Sequence, residues 1–244
     1  MTTQATPNSS FTPKNYSNQA YWEYRYQQPF IFDWLEPFES LIPYLNKILT
    51  KDAPIKILHV GCGNSELAEE ISKYYNIQTI TNIDCSKTVI QFMQEKTKNN
   101  YPSMEWITMD VTSVTFKDES YDIIIDKCTC DSLYCYEQPI QAVLTYYKEM
   151  YRVLKNGGIM LMISYADESM RMEHLRSKFL QVDVVVEKLT TNFYENERVG
   201  QKISKETYIY FIKKKENAVL NEELFNSCLN EIIEKEKTFH DKIN

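Results

Sequence analysis

The chain has 244 residues, of which 43% are hydrophobic and 25% charged. That balance excludes a wholly disordered polymer and suits one large α/β domain with an extension. A formal charge of -7 is not the footprint of a nucleic-acid binder, and no apolar run is long enough to cross a bilayer. The six cysteines follow a polar stretch from Met1 to Lys14 with no secretory core, so reduced thiols and a cytoplasmic location are expected. Cys128, Cys130 and Cys135 cluster without a CxxC pair, and His59, His174 and His240 are scattered. No metal site is expected from them.

Residues 1–19 are rich in Thr, Ser, Asn, Gln and Pro and read as a flexible tail. From Ala20 rings crowd together (Tyr21, Trp22, Tyr24, Tyr26, Phe30, Phe32, Trp34 and Phe38), too many for a linker. This segment is expected to dock on the domain and continue as an amphipathic helix through Leu41, Tyr44, Leu45 and Ile48. Strands and helices then alternate. Strands are predicted at Ile55–Val60, Thr79–Asp84, Met104–Met109, Tyr121–Asp126 and Ile159–Ser164, with helices over Ser65–Tyr75, Val89–Lys96 and Pro139–Leu154. Asn156-Gly157-Gly158 is expected to cap the last of these helices in left-handed geometry. The alternation specifies a Rossmann-like, doubly wound, mostly parallel sheet. Val182–Leu189 and Tyr208–Ile212 lack a helix between them and predict an antiparallel closing hairpin. Leu220, Leu224, Cys228, Leu229, Ile232 and Ile233 mark one face of a C-terminal helix within residues 216–244.

The chemistry concentrates at strand ends. Gly61 and Gly63 follow the first strand, where glycine permits a tight turn and close approach of a ligand. Asp84 ends the second strand, placed to accept bonds from two ribose hydroxyls, and Asp110 ends the third, placed for an adenine amino group. The third glycine of a dinucleotide loop is replaced by Glu66, which would repel a diphosphate. S-adenosylmethionine, carrying an ammonium and a sulfonium, is the expected cofactor.

Four segments carry a resemblance: Tyr21-Trp22 with Arg25-Tyr26; Gly61-Cys62-Gly63-Asn64-Ser65-Glu66-Leu67; Asn82-Ile83-Asp84-Cys85-Ser86 with Val89-Ile90; and Met109-Asp110 followed by Asp126-Lys127-x-Thr129-x-Asp131. Over about Tyr21 to Tyr165 the sequence resembles a class I methyltransferase of the methyltransferase-like 13 group, close to the elongation factor 1-alpha lysine methyltransferases. The resemblance implies the class I methyltransferase fold over residues 20–215. It implies a cofactor-binding set of Tyr21, Trp22, Arg25, Gly61, Gly63, Asn64, Asp84, Cys85, Asp110, Val111 and Asp126. In it Tyr21, Trp22 and Arg25 fold over the cofactor, and Arg25 is suited to its carboxylate.

Where relatives usually read Asp-Lys-Gly-Thr-Leu-Asp, this chain has Cys128 and Cys130. The resemblance implies methyl transfer to a lysine of a protein such as a translation elongation factor; for such an acceptor Asp126 and Asp131 are expected to hold the amine's protons and Tyr134 to offer its hydroxyl or ring. Two other readings stand beside it. One is a small-molecule methyltransferase, suggested by the turn at Tyr151–Gly158. The other is a non-catalytic subunit that assembles through its C-terminal helix, with a partner or another copy. Neither a membrane nor a nucleic acid is an expected partner, since no Asn/Asp-Pro-Pro-aromatic segment follows the fourth strand.

Overall fold

The computed structural model describes residues 16–27, 33–196 and 201–243. Most of the expected tail, and the rings of Phe30 and Phe32, lie outside these residues. Five short apolar segments pair in parallel: β1 (Ile57–Val60), β2 (Ile80–Asp84), β3 (Glu105–Thr108), β4 (Tyr121–Lys127) and β5 (Leu154–Ser164). β6 (Val182–Asn196) and β7 (Gln201–Lys214) form the closing hairpin, with β7 antiparallel to β5. The strand order is β3-β2-β1-β4-β5-β7-β6. The order reverses at β1 and β4, the point where open parallel sheets form a crevice beyond the carboxyl ends of their strands.

Alternation along the strands builds two cores. Ile57, Ile123 and Ile125 pack against α2 (Phe38–Leu45), α3 (Leu67–Tyr75) and α4 (Lys87–Thr97). Leu58, Val60 and Ile124 pack the other way, against Val143, Tyr146, Tyr147 and Met150 of α6 (Pro139–Val153). Each fully buried side chain of this size contributes about 1.5–3 kcal/mol. A third cluster joins α6 to α8 (Glu222–Ile243) through Leu144, Phe179 and Phe225. No helix among the described residues is long and apolar enough to cross a membrane.

The structure departs from the sequence expectation at the end of α6. Asn156-Gly157-Gly158 does not cap that helix: Leu154 already has extended backbone, and β5 begins there. Gly157, at φ 75°, lies in an irregularity where the register slips between Tyr121 paired with Leu154 and Ile123 paired with Ile159. Its left-handed geometry is used for a bulge in the strand. Three short helices were also not anticipated: α1 (Gln19–Arg25), α5 (Thr129–Leu133) and α7 (Glu168–Leu175).

Candidate active site

The loop after β1 depends on two left-handed glycines, Gly61 at φ 55° and Gly63 at φ 52°. A Cβ on Gly61 would stand 2.1 Å from Thr129 Oγ1, and one on Gly63 would stand 2.6 Å from the Tyr26 hydroxyl. Thr129 Oγ1 itself donates to the Val60 carbonyl at 2.9 Å, so the β1 and β4 ends are fastened face to face. Asp84 braces the loop. Its Oδ2 accepts from Gly63 N at 3.0 Å and its Oδ1 from Ser86 N at 2.9 Å. Burial pushes this carboxyl up to about 6, partly offset by those backbone donors. Each oxygen keeps a lone pair for a ligand hydroxyl.

A cavity of about 370 Å³ runs over these strand ends. At the β2–β3 side it is lined by Asp84, Cys85, Met109, Asp110, Val111 and Tyr136. Asp110 is exposed, and its Oδ1 accepts from both N and Oγ1 of Thr112 at 2.8 Å. Over the loop stand Trp22 and Tyr26 of α1 and its C-terminal cap. Trp22 is fixed between Tyr16 and Tyr26, with ring centroids at 5.7 and 5.9 Å, and donates from Nε1 to the Tyr16 carbonyl at 2.9 Å. On the β4 side the lining passes to Trp34, Lys127, Cys128, Thr129, Asp131 and Tyr165.

The β4 side carries the charge. Lys127 is buried and pairs with Asp33, which also accepts from Ser65 Oγ at 2.5 Å. Burial lowers the Lys127 ammonium, and the Asp33 carboxylate opposes that. His59, also in the wall, is pushed down to about 4 by burial and the Lys127 cation, so its imidazole is neutral. Asp131 is buried; Oδ1 accepts from Ser164 Oγ at 2.5 Å and Oδ2 from Tyr165 N at 3.3 Å. Burial raises the thiols of Cys62, Cys85, Cys128 and Cys135. They line the cavity as protonated, weakly polar side chains.

Of the residues singled out from sequence, the fold brings Trp22, Gly61, Gly63, Asp84, Cys85, Asp110, Val111 and Asp131 to this cavity. Tyr21, Arg25, Asn64, Asp126 and Tyr134 are not among its lining residues. Asp126 is wholly buried: it accepts from Thr129 N at 2.7 Å, Cys130 N at 3.0 Å and Tyr146 Oη at 2.6 Å. It ties down the first turn of α5, so hydrogen bonds within the fold occupy the carboxylate assigned to the amine. Tyr134 bonds His174 Nδ1 at 2.8 Å behind the wall. Glu66 does not face the crevice either. It pairs with Lys96 at 2.7 Å on the exposed side, and Ser65 lines the cavity instead. A diphosphate in the crevice would not meet Glu66, so this acid does not select between nucleoside cofactors. Sequence reading missed Tyr16, Trp34, Lys127, Tyr136 and Tyr165 as wall residues. Lys127 and Tyr165 stand at the ends of β4 and β5 and were open to the same strand-end reasoning as Asp84.

A crevice of this form, at the switch point of a parallel sheet with a glycine turn and an acid on the next strand, defines a Rossmann-like protein built to hold a nucleoside cofactor. Residues 51–236 match the family model described as "Methyltransferase domain", and the chain belongs to that family. It is 37% identical over 159 residues to the "eEF1A lysine and N-terminal methyltransferase" of Bos taurus, an overlap of 63% of this chain and 22% of that protein. It is 33% identical over 164 residues to the Drosophila pseudoobscura homolog, covering 64% and 24%. The chain thus spans about a quarter of the length of these curated relatives. Among solved structures it resembles the N-methyltransferase NodS from Bradyrhizobium japonicum, bound to S-adenosyl-l-homocysteine, with a TM-score of 0.59 at 17% identity, covering 82% of this chain and 100% of that one. That likeness concerns the fold.

The residues present fit S-adenosylmethionine. A buried carboxylate with spare lone pairs suits ribose hydroxyls, and Val111 and Tyr136 offer apolar surface to a purine. The loop at Gly61 and Gly63 lets an amino-acid tail lie against the main chain.

Proposed function

We propose that the chain is an S-adenosylmethionine-dependent methyltransferase that methylates a lysine of a protein, with an elongation factor of the eEF1A kind as substrate. The observation that carries the reading is the division of one cavity. Asp84, Asp110, Val111 and Tyr136 line it over β2 and β3, a set suited to a nucleoside, and a fixed buried acid, Asp131, stands over β4 and β5. The printed names of the relatives supply the acceptor class.

When bound, S-adenosylmethionine supplies an activated methyl: its S–CH3 bond breaks as the N–CH3 bond forms, and sulfur keeps the electron pair. The protein's part is mainly alignment. Asp84 would hold the ribose end, and the Gly61–Gly63 loop would fix the tail. Only the neutral amine can attack, so an incoming lysine ammonium must first shed its proton. The proton shed in reaching that form leaves to water at the cavity mouth.

Two measurements test the proposal together. Calorimetric titration with S-adenosylmethionine should give saturable binding, and incubation with labelled cofactor and recombinant eEF1A should place label on a lysine, located by mass spectrometry. Binding without labelling of eEF1A would shift the acceptor to another protein or to a small molecule. Absence of binding at millimolar cofactor would overturn the enzyme reading.

A further inference from the structure

Behind Asp131 lies a polar cluster that neither the cofactor nor the strand ends require. Arg171, on α7, is fully buried, and its Nη2 pairs with Asp131 Oδ1. Its guanidinium carbon stands 4.1 Å from the centroid of the Tyr134 ring. Nε and Nη1 have no hydrogen-bond partner among the described residues, so the Tyr134 face and the Asp131 carboxylate are what hold this cation. His174, three residues on and on the same face of α7, bonds the Tyr134 hydroxyl. Arg171 does not line the cavity, whereas Asp131 does.

A buried ion pair is a poor stabiliser compared with an apolar pair of the same volume. Its presence directly behind the wall of the site asks for another account. We propose that Arg171 is a positioning residue that fixes Asp131 as a permanent hydrogen-bond acceptor for an amine at the methyl-transfer end of the cavity. Oδ1 is taken by Arg171 and Ser164. Among the described residues Oδ2 accepts the long bond from Tyr165 N at 3.3 Å, with the Cys128 thiol beside the carboxylate, which leaves it a lone pair for the cavity. Paired with a guanidinium, the carboxylate orients an N–H of the acceptor and does not remove its proton. α7 thereby becomes part of the acceptor site without touching the ligand. Without Arg171 the buried carboxylate is stranded, and it loses its charge or turns to another donor.

The inference rests on the methyltransferase reading, and its test uses ligands that need no identified acceptor. Sinefungin carries an amine where the donor carries its methyl sulfonium, and S-adenosylhomocysteine carries neither. Calorimetry on the full chain should show sinefungin binding about tenfold or more tighter, the worth of one charge-assisted hydrogen bond. Arg171→Met should bring that preference to within about twofold while leaving S-adenosylhomocysteine affinity unchanged, and Arg171→Lys should keep most of it. The double variant Arg171→Met with Asp131→Asn removes both charges. It should regain the melting temperature lost in the single variant but not the preference. A preference retained in Arg171→Met, or regained in the double variant, would overturn the inference and leave the enzyme reading standing. Equal binding of the two ligands by the unaltered protein would do the same. Binding of neither ligand would remove both.

Discussion

Cys128 sits at φ 72°, a left-handed conformation that costs an L-residue roughly 1–2 kcal/mol. Glycine would adopt it freely, at the expense of about 0.4–1 kcal/mol of unfolded-chain entropy. The side chain is only half-buried, so Cys128→Gly should raise the melting temperature by about 1–2 °C in calorimetry. A fall would mean that the thiol's contacts outweigh the strain. Asp84 yields a pH prediction. Burial places its carboxyl at about 6 in the free protein, and ribose hydroxyls donate best to the anion, so ligand and proton compete. Affinity for S-adenosylhomocysteine should be level above pH 6 and fall about tenfold per unit below it. Asp84→Asn must set an amide N–H against Gly63 N or Ser86 N, and should bind weakly with no such pH dependence. An unaltered protein with flat affinity from pH 5 to 8 would remove Asp84 from ligand contact. Asp84 was legible because it ends the parallel strand next to the glycine turn, where an open sheet binds its ligand. Asp126 and Asp131 looked alike in sequence. Only the turn into α5 decides that Asp126 caps the helix while Asp131 reaches the cavity.

At the scale of elements, α1 is the least conventionally held. It has no buried residue, yet it carries the Trp22 wall. Polar fastening at one end replaces a core. Glu23 accepts from Ser86 Oγ at 2.9 Å, Lys87 N at 2.8 Å and Thr88 N at 3.1 Å, which caps the start of α4 from another helix. Gln19 Nε2 adds a bond to the Cys85 carbonyl at 2.7 Å. Glu23→Ala removes a cap worth about 1–2 kcal/mol and frees α1 to leave the cavity. S-adenosylhomocysteine affinity should drop about tenfold, read by calorimetry and by loss of the Trp22 fluorescence change on binding. Unchanged affinity would show that α1 is not part of the binding wall. The parallel strands were readable because burial on both faces leaves near-continuous apolar runs, as in Ile123-Ile124-Ile125. α1, α5 and α7 were not, being five to eight residues long and too short for a clear helical period. The site inherits this division. Its strand-end residues could be named from sequence, whereas Tyr16 and Trp34 reach the cavity only through how the segments around them pack.

For the whole molecule, the question is whether the C-terminal helix belongs to the fold or waits for a partner, and its first turns pack at home. Phe225 is buried, with its ring 5.1 Å from Phe179 at an interplanar angle of 83°. Lys148 Nζ lies 4.7 Å from the Phe225 centroid and pairs with Glu222 at 2.7 Å. Leu144 of α6 completes the cluster, with Leu220, Leu224 and Cys228 packed against it. α6 backs the sheet face beneath the site, so loss of α8 would expose the helix that holds Asp126 through Tyr146. Phe225→Ala should cost about 3–4 kcal/mol. For a chain of this length that lowers the melting temperature by roughly 6–16 °C, in a single transition if α8 and the sheet unfold together. Mass in solution, measured by light scattering, should not change. A melting temperature that stays put while the mass falls would instead assign this face of α8 to self-association, and a separate early transition would make it an appendage that the methyltransferase fold does not need.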